Sequence, residues 1–73
     1  MAQSFGSWLK AQQHRDDDVG DFAQDFLRDI KRTIYRRPSD WTPNKLWWRM
    51  KGRGASAIAL SVWHQAHNEW KSR

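Results

Sequence analysis

At 73 residues the chain has room for one domain, 1–73, because a core of this size buries only about 60% of the surface that the unfolded chain exposes. Cysteine is absent, which excludes disulfide staples and cysteine-ligated zinc, and the longest apolar run, Ala57 to Leu60, falls far short of the ~20 residues needed to cross a bilayer. The formal charge of +5 is unevenly spread: residues 1–30 hold three basic and six acidic side chains, about −3, whereas residues 31–73 hold ten basic and two acidic, about +8.

Ser4 followed by Phe5, Trp8, Leu9 and Gln12 has the i, i+3, i+4, i+7 spacing of an amphipathic helix, so the first helix is expected over Phe5 to Gln13 with Ser4 as its cap. His14 to Asp17 is a polar break. Val19, Phe22, Ala23, Phe26, Leu27, Ile30 and Ile34 then keep the helical period for four turns, which predicts a second helix over Val19 to Thr33, fraying toward Arg37. Asp18 is its expected cap. Asp21 lies in the first turn, and Lys31, Arg32, Arg36 and Arg37 crowd the end, so acid meets the positive pole of the helix and base the negative one.

Pro38 stops that helix, and Thr42-Pro43 reads as cap and first residue of a third, which carries Leu46, Trp47 and Met50 inward and closes at Gly52. Gly52-Arg53-Gly54 is the expected tight turn. From Ala55 to Lys71 a fourth helix places Ile58, Ala59, Val62, Trp63, Ala66 and Trp70 on one face. No repeat and no two-residue alternation is evident, so the expected fold class is all-α, a compact four-helix bundle with room for a fifth short helical turn near residues 34–41. Six Trp and three Phe supply the core, each large apolar side chain adding about 1.5–3 kcal/mol when buried.

Ser4-Phe5 with Trp8-Leu9, Arg15-Asp16-Asp17, and Val19-Gly20-Asp21-Phe22-Ala23 with Asp25 together resemble the opening of the YozE-type small bacterial proteins. That resemblance covers the first thirty residues well and extends loosely to the end through Gly54-Ala55 and the Ala66 to Trp70 stretch. It implies a fold similar to the sterile alpha motif (SAM-like). Members of that family are often acidic, whereas this chain is basic and carries extra tryptophans at Trp47-Trp48, which implies a surface adapted to another task.

Several constellations have two readings. Asp16, Asp17, Asp18 and Asp21 could ligate a hard cation, but the alternating spacing and terminal glutamate of a calcium loop are missing and helix capping accounts for Asp18 and Asp21. Asp21, Asp25 and Asp29 form an acidic stripe whose partners would be Arg28 and Arg32, as in Asp25 with Arg28 and Asp29 with Arg32. His64 and His67 lie about one turn apart without a third ligand. No hydroxyl or thiol is paired with a base, and no glycine-rich loop follows a strand, so the chain reads as non-catalytic, with no metal and no cofactor.

The basic half carries the functional expectation. On a helical wheel Trp48 turns outward between Lys45 and Arg49, where an indole among cations can stack on a base or fill a partner's pocket; the alternative is that it packs on Trp41 or the chain ends. Lys51-Gly52-Arg53-Gly54 before a helix also looks like the phosphate-binding hairpin of helix-hairpin-helix modules, although Arg53 stands where such hairpins place an apolar anchor and a plain connecting turn explains the glycines. The leading expectation is a binding module whose Arg32, Arg36, Arg37, Lys45, Arg49, Lys51 and Arg53, with Trp48, engage nucleic acid largely through phosphates. The alternative is a protein-protein interaction module, such as a phage or prophage product that docks on a host protein through Trp48 and its flanking cations. Met1 to Lys10 lacks the continuous apolar segment of a signal peptide, so the expected location is cytoplasmic, with no membrane partner.

Overall fold

Every helix starts on a side chain that accepts an otherwise orphaned backbone N–H. In the computed structural model, which describes residues 3–73 and leaves Met1 and Ala2 outside them, the helices are α1 (Phe5–Ala11), α2 (Asp18–Ile30), α3 (Pro43–Gly52) and α4 (Ala57–Lys71), with a 3₁₀ turn at Pro38–Asp40. Ser4, Asp17, Thr42 and Ser56 cap them, accepting from the amides of Ser7, Gly20, Lys45 and Ala59 at 3.2, 2.9, 3.1 and 3.1 Å. The cap of α2 is therefore Asp17 and not Asp18, which is instead the first helical residue. No strand occurs among the described residues, and the architecture is the expected all-α four-helix bundle.

The helix ends correct the sequence reading in three places. α1 closes at Ala11, two residues early. α2 closes at Ile30 and not Thr33, because the Thr33 hydroxyl donates to the Ile30 carbonyl at 2.8 Å and accepts the Tyr35 amide at 3.1 Å, offering the backbone a non-helical alternative. Ile34 consequently leaves the apolar stripe and is 88% exposed. At the end of α3 the left-handed residue is Gly54, at φ 73°, and Gly52 is the last helical residue. The Ala55 amide donates to Met50 O at 2.9 Å and the Gly54 amide to Lys51 O at 3.1 Å, the paired bonds of a Schellman ending.

The core is built from Phe5, Trp8 and Leu9 of α1, Val19, Ala23, Phe26 and Ile30 of α2, Trp41, Leu46 of α3, and Trp63 and Ala66 of α4. Phe22, Leu27, Trp47, Met50 and Trp70 pack at its margin. Ile58, expected inward, is 79% exposed: α4 starts at Ala57, and at 100° per residue Ile58 lies on the flank of the stripe centred on Ala59, Trp63, Ala66 and Trp70. α4 packs on α2, α1 and α3, and α1 packs on the 3₁₀ turn.

That last contact positions the segment between α2 and the 3₁₀ turn. The Gly6 amide donates to Trp41 O at 3.0 Å, and a Cβ on Gly6 would lie 1.8 Å from the Pro38 carbonyl oxygen, so only glycine lets α1 approach the turn this closely. Trp41 is thereby driven inward to 2% exposure, edge-on to Phe26, and its indole N–H reaches the Tyr35 carbonyl at 2.8 Å. The segment between α2 and the 3₁₀ turn is thus pinned at Thr33 and at Tyr35.

Candidate functional site

The pinned segment, residues 31–37, projects Ile34 and Tyr35 outward beside the exposed face of α3. Trp48 is 69% exposed, as its position on the wheel of α3 requires, and Tyr35 is 45% exposed. Each of the other five tryptophans has an aromatic partner, and Trp48 has none among the described residues. Among the described residues it makes no aromatic pairing with the Trp41 ring, although both line one depression. Trp48, Tyr35 and Ile34 rim a shallow depression of about 510 Å³ whose remaining walls are Thr33, Trp41, Lys45 and Arg49. The Lys45 ammonium sits 3.3 Å from the centre of the Tyr35 ring and 5.2 Å from that of Trp41, which fixes the tyrosine and leaves a cation at the floor.

The predicted cations divide into groups with different availability. Arg49 grips Asp29 with two hydrogen bonds, Nε to Oδ2 at 3.0 Å and Nη2 to Oδ1 at 3.1 Å, and Arg53 Nη1 closes on the same Oδ1. The Arg49 guanidinium holds the Asp29 carboxyl below the usual carboxylate range, and Arg53 and Arg32 add to the effect; Asp29 in turn raises the pKa of Arg49. Asp29 therefore pairs across to α3 and its following turn, not with Arg32 as its spacing suggested, while Asp25 and Arg28 do pair, at 2.7 Å. Arg37 reaches Asp40 at 3.4 Å with its side chain 82% exposed. Lys51 lies apart from this surface, 5.8 Å from the Trp47 ring on the side where Trp47 meets His64. Arg32 and Arg36 are exposed and carry no ion pair among the described residues.

A second depression, about 650 Å³, lies between the ends of α1 and α2 and the 3₁₀ turn. It is lined by Lys10, Arg28, Lys31 and Arg36, with Gln13, Gln24, Leu27, Ile30 and Pro38. Sequence reasoning missed Lys10 and Lys31 as partners of Arg36, because they come from two helices brought together only by the fold. It missed Ile34 and Tyr35 because the apolar period ran through Ile34. Neither this groove nor the aromatic depression has a carboxylate in its walls, in contrast with a third depression, where Asp25 and Asp29 face Arg28, Arg32 and Arg53.

The remaining constellations are absorbed by the fold. Asp17 accepts Gly20 N–H and the Arg15 guanidinium, both of which lower its pKa, and Arg15 continues to Glu69 at 2.7 Å, tying the loop before α2 to α4. His67 sits among Phe5, Trp63 and Trp70, where burial, with Lys71 and His64 nearby, pushes its pKa down. The glycine turn ends α3: the amides of Arg53, Gly54 and Ala55 are all spent on carbonyls of that helix. No helix of the described residues is long and apolar enough to cross a membrane. No protein-family model, curated protein or solved structure matches the chain.

Proposed function

We propose that the chain is a non-catalytic binding module that engages nucleic acid through phosphates at the surface around residues 31–37. The observation that carries this reading is the pair of depressions flanking that segment, lined by Lys10, Lys31, Arg36 and Lys45 and by no carboxylate. Cations without an internal acid keep counterions that a phosphate can displace, and their release drives association. Arg32 extends the positive surface, whereas Arg37, which reaches Asp40, and Arg49 and Arg53, committed to Asp29, contribute less than the sequence suggests. A SAM-like, YozE-type ancestry is part of the same proposal.

The test is anisotropy of labelled mixed-sequence DNA and RNA across a salt series. About four neutralised phosphates give a log–log slope near −2.8 for single strands or −3.6 for duplex, a loss of roughly 50- to 150-fold between about 50 and 200 mM salt. Absence of binding at the low-salt end removes the reading. One observation favours a protein partner instead, Ile34 standing 88% exposed beside Trp48 and Tyr35, since an aliphatic side chain gains nothing from phosphate. On that second reading Ile34→Ser abolishes a protein contact and leaves nucleic acid retention unchanged.

A further inference from the structure

We infer that the preferred ligand is single-stranded nucleic acid, its bases stacked on Trp48 and Tyr35 while its phosphates run into the groove formed by Lys10, Lys31 and Arg36. This rests on the nucleic acid reading and adds to it the class of strand. Three observations converge on it.

The first is that two flat rings are held out toward solvent by a fold that places its other tryptophans against aromatic partners. Trp48 has no aromatic pairing among the described residues, and Tyr35, edge-on to Trp41 and 3.3 Å from the Lys45 ammonium, is held in place and, at 45% exposure, open to a flat ligand. The second is adjacency. Ile34 lines the aromatic depression and Arg36 lines the basic groove. Two residues of backbone span at most about 7 Å, so one short segment is the shared wall of both, and an extended strand can cross it from one depression to the other. The third is electrostatic. Neither depression has a carboxylate in its walls, and although Arg28 and Arg49 are held by Asp25 and Asp29, Lys10, Lys31, Arg36 and Lys45 make no ion pair among the described residues, so positive charge is present in both.

A duplex cannot use the rings. Its base faces are covered by their neighbours in the stack, and it would meet this surface through phosphates alone, leaving Trp48, Tyr35 and Ile34 in water or against sugar edges. Unpaired bases offer a π-face at every position, and each base stacked on an aromatic side chain is sensitive to alanine substitution in a way that a phosphate contact is not. The site therefore discriminates strand type and reads little sequence.

The experiment compares a single strand of about ten nucleotides with the duplex of the same sequence, by anisotropy and by tryptophan quenching. Wild-type protein is expected to bind the single strand at least roughly tenfold more tightly and to lose indole emission on doing so. Trp48→Ala with Tyr35→Ala should bring the two affinities within about threefold of each other and leave the salt slope unchanged, whereas Lys31→Ala with Arg36→Ala should lower the slope by roughly 1.4 and keep the preference. Trp48→Phe, which retains a stacking ring, should hold the preference, separating lost stacking from lost fold; unchanged circular dichroism of all variants is the control. Equal or tighter duplex binding by the wild type overturns this inference and leaves the nucleic acid reading standing. Failure to bind either strand overturns both and turns attention to a protein ligand for the same rings.

Discussion

Asp29→Asn should push stability and binding in opposite directions. Asp29 is the one carboxylate shared by two cations of the basic half, and its side chain is 23% exposed against 31% for Arg49. Fully exposed ion pairs contribute about 0.2–1 kcal/mol, and hydrogen bonds to charged groups shielded from water about 1.5–3. A half-buried bidentate pair falls between, so the substitution, which keeps the shape and removes the charge, should cost about 1–2 kcal/mol. For a domain of this length each kcal/mol moves the melting temperature by roughly 4–8 °C, giving a fall of about 5–15 °C by circular dichroism.

The same change frees Arg49, which lines the aromatic depression, and Arg53 beyond it. Each additional phosphate contact steepens the single-strand salt slope by about 0.7, and one such contact at about 50 mM salt is worth several-fold in affinity. Less stable protein that binds more tightly is an unusual combination, and that makes the prediction sharp. An unchanged melting temperature would show that the pair does not hold α2 to α3. A slope that stays flat in folded protein would refute the claim that Asp29 restrains cations of the interface.

Gly6→Ala should destabilise by about 1–3 kcal/mol, read as a lower urea midpoint at unchanged m, because the new methyl meets the Pro38 carbonyl. Gly52→Ala, where nothing lies within 4 Å of a Cβ and the residue is helical, should instead stabilise by about 0.5–1 kcal/mol and raise the midpoint. Ser56→Ala removes the cap of α4 and should cost about 0.5–2 kcal/mol by the same measurement. His67 has its folded pKa pushed below the ordinary value of 6.5, so its contribution is fully present above that pH and is lost as the pH falls through the unfolded toward the folded value; urea midpoints at pH 7.5 and 5 should differ, and His67→Gln should flatten this component. The lowered carboxyls of Asp17 and Asp29 act in a separate window, losing their stabilisation only as the pH falls below about 3.8, where melting curves of Asp17→Asn and wild type should converge.

What was legible in the sequence was local. Caps at Ser4 and Thr42, Pro43 as a first helical residue, the inward turn of Leu46 and the outward turn of Trp48 follow from spacing and backbone chemistry, and all are present. The misplacements also have local causes that periodicity does not see. Thr33 competes for the backbone and ends α2 early, which exposes Ile34; Asp17 takes the cap because its carboxylate reaches Gly20 N–H three residues on; Ile58 satisfies the period only on the flank of its stripe. The candidate site was half visible for a different reason. Arg36 and Trp48 could be named from the sequence, but which cations are already paired depends on contacts twenty or more residues apart, such as Arg49 with Asp29. The meeting of Lys10 with Lys31 likewise exists only once α1 lies against α2.

Those pairings change what net charge means for this chain. The sequence divides into an acidic and a basic part, yet Asp29 crosses that division to neutralise Arg49 and Arg53, while Arg15 draws Glu69 toward the acidic loop. Lys10, Lys31, Arg36 and Lys45, which make no ion pair among the described residues, gather around residues 31–37, and there the fold also leaves Ile34, Tyr35 and Trp48 exposed. Stability does not require Trp48: the Trp41 ring is already buried against Phe26, and removal of a 69% exposed indole should alter stability by less than about 0.5 kcal/mol. Exposed apolar area that contributes so little to folding, set beside cations of which Lys45 and Arg36 make no ion pair among the described residues, is surface whose free energy is realised on contact with another molecule. Trp48→Ala separates the two roles directly, since it should leave the melting curve in place and weaken the preference for single strands, while binding through phosphates persists.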